Sequence, residues 1–137
     1  MRAELNRQLM INVSNEVGSL AEILDVVSTA GINLIALCAY EIERQAAIMF
    51  VSEDNNSAKK LLEKQGYQVS EEEVILLSLK NEPGALKTVT DHFAEAGVDL
   101  RLVYGSVDAD VTHSKLVIIA KDNLDAMMVI KTLLERS

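Results

Sequence analysis

Two loops in this sequence have residue types and spacing suited to a small-molecule site. The hexapeptide NEVGSL at residues 15–20 returns as NEPGAL at residues 81–86, each time between an apolar run and a predicted helix. The first N–H groups of a helix have no partner within the helix, and the helix dipole favours negative charge there. Gly18 and Gly84 lack a Cβ atom, which lets a ligand approach the backbone. The pattern predicts two carboxylate-binding sites and no catalysis.

Polar side chains near these loops are candidates to complete each site. Asn15 and Asn81 flank the turns, and Asn33 and Asp99 open the next strand. We expect that strand to neighbour the first one, which would place its polar side chain beside the loop. Asn33 can donate and accept hydrogen bonds, whereas an ionised Asp99 only accepts, which suits an ammonium group. The same residue types also serve as ordinary turn residues, so both interpretations stay open.

The chain as a whole is a doubled module. AGINL at 30–34 matches AGVDL at 96–100, again 66 positions later. Apolar runs and i, i+3, i+4 spacing predict the same element order in both copies. The predicted strands are 8–14, 33–42, 45–52 and 67–70 in copy one and 73–79, 99–107 and 113–121 in copy two; the predicted helices are 18–30, 57–65, 84–96 and 124–135.

This order predicts an α+β fold of two ferredoxin-like βαββαβ units with antiparallel sheets packed side by side. The units are 1–72 and 73–137, and the second lacks its last strand. The open sheet edge that results should be covered by the other copy or by a partner chain. Glu71 to Glu73 are interpreted as a solvated connector.

Local signals fix the helix ends and hint at assembly. Gly31 and Gly97 are suited to the left-handed conformation after a helix. Asp54 or Asn55, and likewise Asp122 or Asn123, are expected N-caps.

Several strand runs, such as 34–39 and 46–51, are apolar without alternation. Both sheet faces should therefore be buried, and we expect a homodimer stacked through the face without helices.

Composition excludes several classes of protein. The chain of 137 residues carries a net charge of −8 and has a pI near 4.7, which argues against nucleic-acid and anionic membrane partners. Residues 1–7 are polar and no apolar stretch reaches 18 residues, so neither a signal peptide nor a membrane span is expected. Cys38 is the single cysteine, which fits a cytoplasmic location. His92 and His113 lack companions at metal-ligand spacing, and no metal or cofactor is expected.

The repeated pattern resembles the ACT domain, an amino-acid-sensing module of many biosynthetic enzymes. The usual motif is Asp or Asn, any residue, then Pro-Gly-x-Leu, a helix, and Gly-[Ile/Val]-[Asn/Asp]-[Ile/Leu]. Copy two matches throughout, whereas copy one has Val17 in place of proline. The resemblance covers essentially the whole chain and implies a tandem ACT protein without a catalytic domain.

The resemblance implies binding of a free amino acid at interfaces between ACT units. The ligand-binding residues that it implies are Asn15, Val17, Gly18, Ser19, Leu20, Asn33 and Leu34 in copy one and Asn81, Pro83, Gly84, Ala85, Leu86, Asp99 and Leu100 in copy two. A second hypothesis is a regulatory subunit that binds a biosynthetic enzyme, similar to the small subunit of acetolactate synthase. A third is acylphosphatase-like chemistry, which Glu16 and Glu82 disfavour because they would repel a phosphoryl group.

Overall fold

The computed structural model describes residues 1–106 and 112–136. Within them the backbone forms six strands and four helices, so the α+β expectation is confirmed. The strands are β1 Arg2–Ser14, β2 Leu34–Ile42, β3 Gln45–Ser52, β4 Val69–Lys80, β5 Leu100–Ser106 and β6 His113–Ala120, and the helices are α1 Ser19–Thr29, α2 Asn55–Lys64, α3 Ala85–Glu95 and α4 Asn123–Arg136. Residues 107–111, between the predicted strands 99–107 and 113–121, lie outside the described residues, as does Ser137.

The chain divides into two compact units. The first unit is Arg7–Glu72, and the second combines Glu73–Ser137 with Met1–Asn6. The first six residues therefore group with the second copy, although the sequence pattern places them with the first. Each unit contains two helices and repeats the ferredoxin-like order of elements.

In the first unit the strand order is β2-β3-β1-β4. The central strand β3 pairs antiparallel with both β1 and β2, so that Gln45 lies opposite Ser14 on one side and Ile42 on the other. The core packs between this sheet and its two helices. Its largest buried members are Phe50, Leu9, Ile11, Ile23, Ile48 and Leu62.

In the second unit the order is β1-β4-β6-β5, with β4 and β5 antiparallel to β6. Only the Met1–Asn6 end of the chain's first strand belongs to this unit. That segment occupies the position beside β4 that a last strand would take, and Ala3 packs against the core of the unit. The sequence analysis treats residues 1–7 as polar and misses this strand, although Ala3 and Leu5 alternate with polar residues.

Strand β4 runs without interruption through the predicted connector, so that prediction is wrong. Glu71 lies within the strand and accepts a hydrogen bond from Arg7 Nε at 3.0 Å, while Lys59 Nζ lies 3.8 Å from the same carboxylate. Glutamate has a low strand propensity, but pairing along β1 overrides such local preferences.

The expectation that both sheet faces are buried holds for the central strands only. Met49, Val74 and Val117 lie outside the helix-facing clusters and are nevertheless no more than 6% exposed in the single chain. Their burial needs no second copy, which removes the reason given for a stacked homodimer. The edge strand β2 contradicts the expectation, because Tyr40 is 44% and Ile42 53% exposed.

The helix ends follow the local signals. Asp54 caps α2 by accepting a hydrogen bond from the Ser57 N–H at 3.1 Å. Hydrogen bonds from the Ser57 side chain and from its N–H hold the pKa of the Asp54 carboxyl below the usual value. Asp122 likewise accepts from the Leu124 N–H at 2.9 Å. Gly31 and Gly97 have φ angles of +74° and +73°, as their place after a helix predicts.

Candidate functional site

The first repeated loop, residues 15–20 and called loop one below, is held rigidly between β1 and α1. Gly18 is the N-cap of α1 with φ of +93°, a conformation that favours glycine. The Asn15 N–H donates to the Arg44 carbonyl at 2.9 Å, which ties the loop to the β2–β3 turn. The Ser19 hydroxyl donates to the Ser14 carbonyl at 3.2 Å. These bonds fix the backbone in front of the helix without covering its first turn.

A cavity of about 560 Å³ adjoins this loop within the first unit. It lies between α1 and the strands β2 and β3. The polar residues of its lining are Asn15, Glu16, Ser19 and Glu41. The apolar ones are Leu20, Ala21, Leu24, Ala39, Ala46 and Ile48, and the lining also includes Gly18 and Tyr40. Four of the predicted residues of copy one therefore meet in one concave surface: Asn15, Gly18, Ser19 and Leu20. Val17 is fully exposed and is not among the lining residues.

The loop end of the cavity combines opposite electrostatic features. The Asn15 side-chain amide donates a hydrogen bond to the Glu41 carboxylate on β2. Glu16 adds a second carboxylate to the lining. Within the described residues no side chain caps α1, so the first-turn N–H groups have no side-chain acceptor. Carboxylates can hold an ammonium group, while a helix N-terminus attracts a carboxylate.

The second loop, residues 81–86 and called loop two below, repeats the backbone conformation of loop one. Gly84 is the N-cap of α3 with φ of +85°, and the Asn81 N–H donates to the Thr112 carbonyl at 2.8 Å. Pro83 and Leu86 are exposed and Ala85 is half-buried. The chemistry beside this loop differs, because Lys87 in the first turn pairs with Asp91 at 2.6 Å. This hydrogen bond raises the pKa of the Lys87 ammonium.

Asn33 and Asp99 do not meet the loop of their own unit, which corrects the expected neighbourhood of strands. In the first unit β3 lies between β1 and β2, and these two strands run parallel because both oppose β3. Asn33 and Leu34 stand at the start of β2, whereas Ile42 is level with the loop. Eight residues of strand separate the two ends by about 26 Å. Asp99 and Leu100 stand at the start of β5, which has the same relation to loop two.

The start of β5 lines a different cavity, of about 710 Å³, in the second unit. Asp99 contributes to it, together with residues that the sequence analysis did not predict as ligand-binding: Lys121, Asp122, Asp125, Met128 and Val129. The Lys121 N–H donates to the Asp99 carbonyl at 2.8 Å, which fixes this end of β5. In the first unit Asn33 instead donates from its side chain to Glu53 at 3.4 Å.

The other candidate groups are accounted for by local structure. His92 Nδ1 lies 2.7 Å from the Thr88 carbonyl, and His113 Nδ1 lies 3.1 Å from the Thr112 hydroxyl. No group of three His, Cys, Asp or Glu side chains that could hold a metal occurs among residues 1–106 and 112–136. In the same part of the chain no helix is long and apolar enough to cross a membrane.

Comparison with known proteins identifies the family. A model of the ACT domain pair matches residues 5–134. The chain belongs to the ACT domain pair family. A search of the curated proteins found no match.

Among solved structures, a protein from Bacteroides thetaiotaomicron is 28% identical to this ACT domain pair, with a TM-score of 0.87 over 95% of this chain and 89% of that one. The regulatory subunit of aspartate kinase from Thermus thermophilus, in a ligand-free form, is 13% identical, with a TM-score of 0.67 over 96% and 97% of the two chains. A structure of aspartokinase alpha and beta subunits is 15% identical, with a TM-score of 0.65 over 98% of each chain. The last two likenesses concern the fold.

Sequence reasoning found the loop residues of the cavity but missed those on β2 and β3. Glu41, Ala39 and Ala46 lie far from loop one in the sequence and come to it only through strand pairing. A partial signal was present, since the alternate residues 39 and 41 must share one face of a strand. Nothing in the linear pattern marks that face as the one next to the loop.

Proposed function

We propose that this ACT domain pair is a non-catalytic regulatory module that binds a free amino acid in the cavity beside loop one. The observation that carries the proposal is that one cavity adjoins both a helix N-terminus without a side-chain cap and the carboxylate of Glu41. The lining contains no histidine, cysteine or lysine. The proposed role is therefore binding, with the two glutamates acting as hydrogen-bond acceptors.

In the proposed complex the two ends of the amino-acid backbone bind different groups. The ligand carboxylate accepts hydrogen bonds from N–H groups of the first turn of α1 other than that of Ser19, which donates to the Glu16 carbonyl at 3.1 Å. The helix dipole is positive there. The ligand ammonium donates to Glu41, with Glu16 adding negative charge nearby. Hydrogen bonds to charged groups contribute about 1.5–3 kcal/mol each. Two such contacts account for recognition of a zwitterion over a simple acid or amine.

The residues at the starts of β2 and β5 contribute to ligand binding only across units. Asn33 lies about 26 Å along the strand from its own loop, so a ligand held by loop one and by an Asn33 side chain requires a second chain. We propose a homodimer that supplies this contact. A ligand that binds the assembled form more tightly then shifts the assembly equilibrium, which is a route to regulation without catalysis.

A thermal-shift screen of the full chain against the twenty amino acids tests the proposal. A ligand at about 100 times its Kd adds roughly 2.7 kcal/mol to the free energy of unfolding. Glu41→Gln should weaken the binding of the identified ligand by about tenfold or more, because a charge-assisted hydrogen bond is replaced by a neutral one. Glu43→Gln, in the turn beside the cavity, is the matched control. Absence of any shift with all twenty amino acids would refute amino-acid binding.

One observation favours a second function, binding to an enzyme partner as a regulatory subunit. The edge strand β2 exposes apolar side chains, with Leu37 38% and Ile42 53% exposed. An edge strand with apolar side chains is a template for pairing with another chain. The chain also has the length of the aspartate kinase regulatory subunit that it resembles. Recovery of a stoichiometric enzyme in a pull-down that Ile42→Lys abolishes would support this function.

A further inference from the structure

We propose that the cavity of the first unit selects a neutral amino acid with an aliphatic side chain, and that Ala39 and Ala46 set the size of that side chain. This inference rests on the proposed function, since it names the class of amino acid that the site takes. It depends on the order of polar and apolar residues in the cavity and on the sign of its charges. A third observation is the difference between Ala39 and the equivalent Gly105 of the second unit.

Polar and apolar residues occupy opposite ends of the cavity. Glu41 lies opposite Ala46 in the β2–β3 pairing, and Ala39 lies opposite Ile48 two residues further from the loop. Two residues of strand correspond to about 7 Å. A ligand whose charged backbone groups lie at the loop end therefore points its side chain towards Ala39, Ile48 and Leu24. These residues offer no polar side-chain atom.

The charges of the lining exclude acidic ligands. Glu16 and Glu41 are the charged residues of the lining, and both are negative. The side-chain carboxylate of aspartate or glutamate would meet like charge at the loop end and no cation at the inner end. A lysine side chain would place its ammonium at the apolar end, away from both carboxylates. Burying a charge without a partner is costly, so an aliphatic side chain fits best.

The equivalent position in the second unit has no room for a side chain. Gly105 lies opposite Leu116 on β6, as Ala39 lies opposite Ile48. A Cβ atom added to Gly105 would lie 2.6 Å from Leu116 Cδ2 and 2.6 Å from the Lys115 carbonyl oxygen. Leu116 thus approaches the position that the Cβ atom of Ala39 takes in the first unit. The inference accordingly concerns the first unit, where Ala39 lines the cavity.

Isothermal titration calorimetry on the full chain tests the inference. The titrants are leucine, isoleucine, valine and methionine, compared with aspartate, glutamate and lysine. We expect at least one aliphatic amino acid to bind tenfold or more tightly than the charged ones. Ala46→Leu should weaken its binding at least tenfold by filling the cavity. Ala47→Leu is the matched control, because residue 47 is the next on β3 and is not part of the lining.

The outcomes separate this inference from the proposed function. If no amino acid binds, both fail. If a charged amino acid binds best, or if Ala46→Leu leaves the affinity for leucine unchanged, amino-acid binding stands and aliphatic selection is overturned. A cooperative thermal transition confirms that Ala46→Leu is folded. Ala39→Val, which adds two methyl groups at the inner end, provides a second variant. It should weaken the binding of leucine more than the binding of alanine.

Discussion

Adding one methyl group at Gly105 is expected to destabilise the second unit by roughly 1–2 kcal/mol. The new Cβ atom would lie 2.6 Å from both Leu116 Cδ2 and the Lys115 carbonyl oxygen. Ordinary contacts between carbon atoms are about 3.5–4.0 Å, so the shortfall is close to 1 Å. Leu116 is 7% exposed within the core, and the Lys115 backbone lies in the β5–β6 pairing. Neither neighbour can move without disturbing other contacts.

The magnitude follows from two opposing effects. Overpacking of a filled core costs about 1–3 kcal/mol. Replacing glycine by alanine at a position without a positive φ angle recovers about 0.4–1 kcal/mol by restricting the unfolded chain. Urea unfolding measures the difference. With an m value of about 1–3 kcal/mol/M, a loss of about 1.5 kcal/mol lowers the midpoint by roughly 0.5–1.5 M.

The matched variant is Ala39→Val at the same register position of the first unit. Ala39 is exposed and lines the cavity, so we expect the added methyl groups to extend into it, and the change in stability should stay within about 0.5 kcal/mol. A double-mutant cycle of Gly105→Ala with Leu116→Ala should show a favourable coupling, since the smaller side chain removes one of the two clashes. A Gly105→Ala variant as stable as the parent, with an unchanged m value, would refute the claim that there is no room for a Cβ atom at residue 105.

Three further predictions concern the loops, the first strand and a helix cap. Gly18→Ala should lower the free energy of unfolding by about 1–2 kcal/mol because φ is +93°, while Val17→Ala, at a fully exposed position, should leave it unchanged in the same denaturation assay. Deleting residues 1–6 should expose the edge of β4, lower the melting temperature and increase association in light scattering; an unchanged melting temperature and particle size would contradict the role assigned to this strand. The Asp54 carboxyl has a lowered pKa in the folded chain, so its stabilising effect is complete above the ordinary Asp pKa and is lost as the pH falls through the lowered value. Asp54→Ala should remove this acid dependence in thermal unfolding, and an unchanged profile would argue against the cap.

The element order could be predicted because its signals are local. The apolar spacing of α1 and α3, the glycines after them and the Asp54 cap act over four residues or fewer. The duplication then let each copy support the interpretation of the other. The prediction failed where pairing partners decide the conformation: residues 2–6 and the three glutamates 71–73 both form strands although their local preferences point elsewhere.

The candidate site could be predicted only in part for the same reason. Asn15, Gly18, Ser19 and Leu20 line one cavity because they follow one another in the chain. The expected partner Asn33 lies at the far end of the unit, since β3 separates β1 from β2. Strand order is a property of the whole sheet, and no residue near Asn33 encodes it.

The sequence by itself determined that this chain is a doubled ACT module with a rigid glycine loop before one helix of each copy, because helix caps and periodicity are short-range effects. Only the tertiary structure decided that loop one borders a cavity. The register of β2 on β3 places Glu41 at the polar end and Ala39 at the inner end, whereas the register of β5 on β6 places Leu116 against Gly105. Near-identical loops thus belong to units that pack differently at this register position, because packing depends on side chains far away in the sequence.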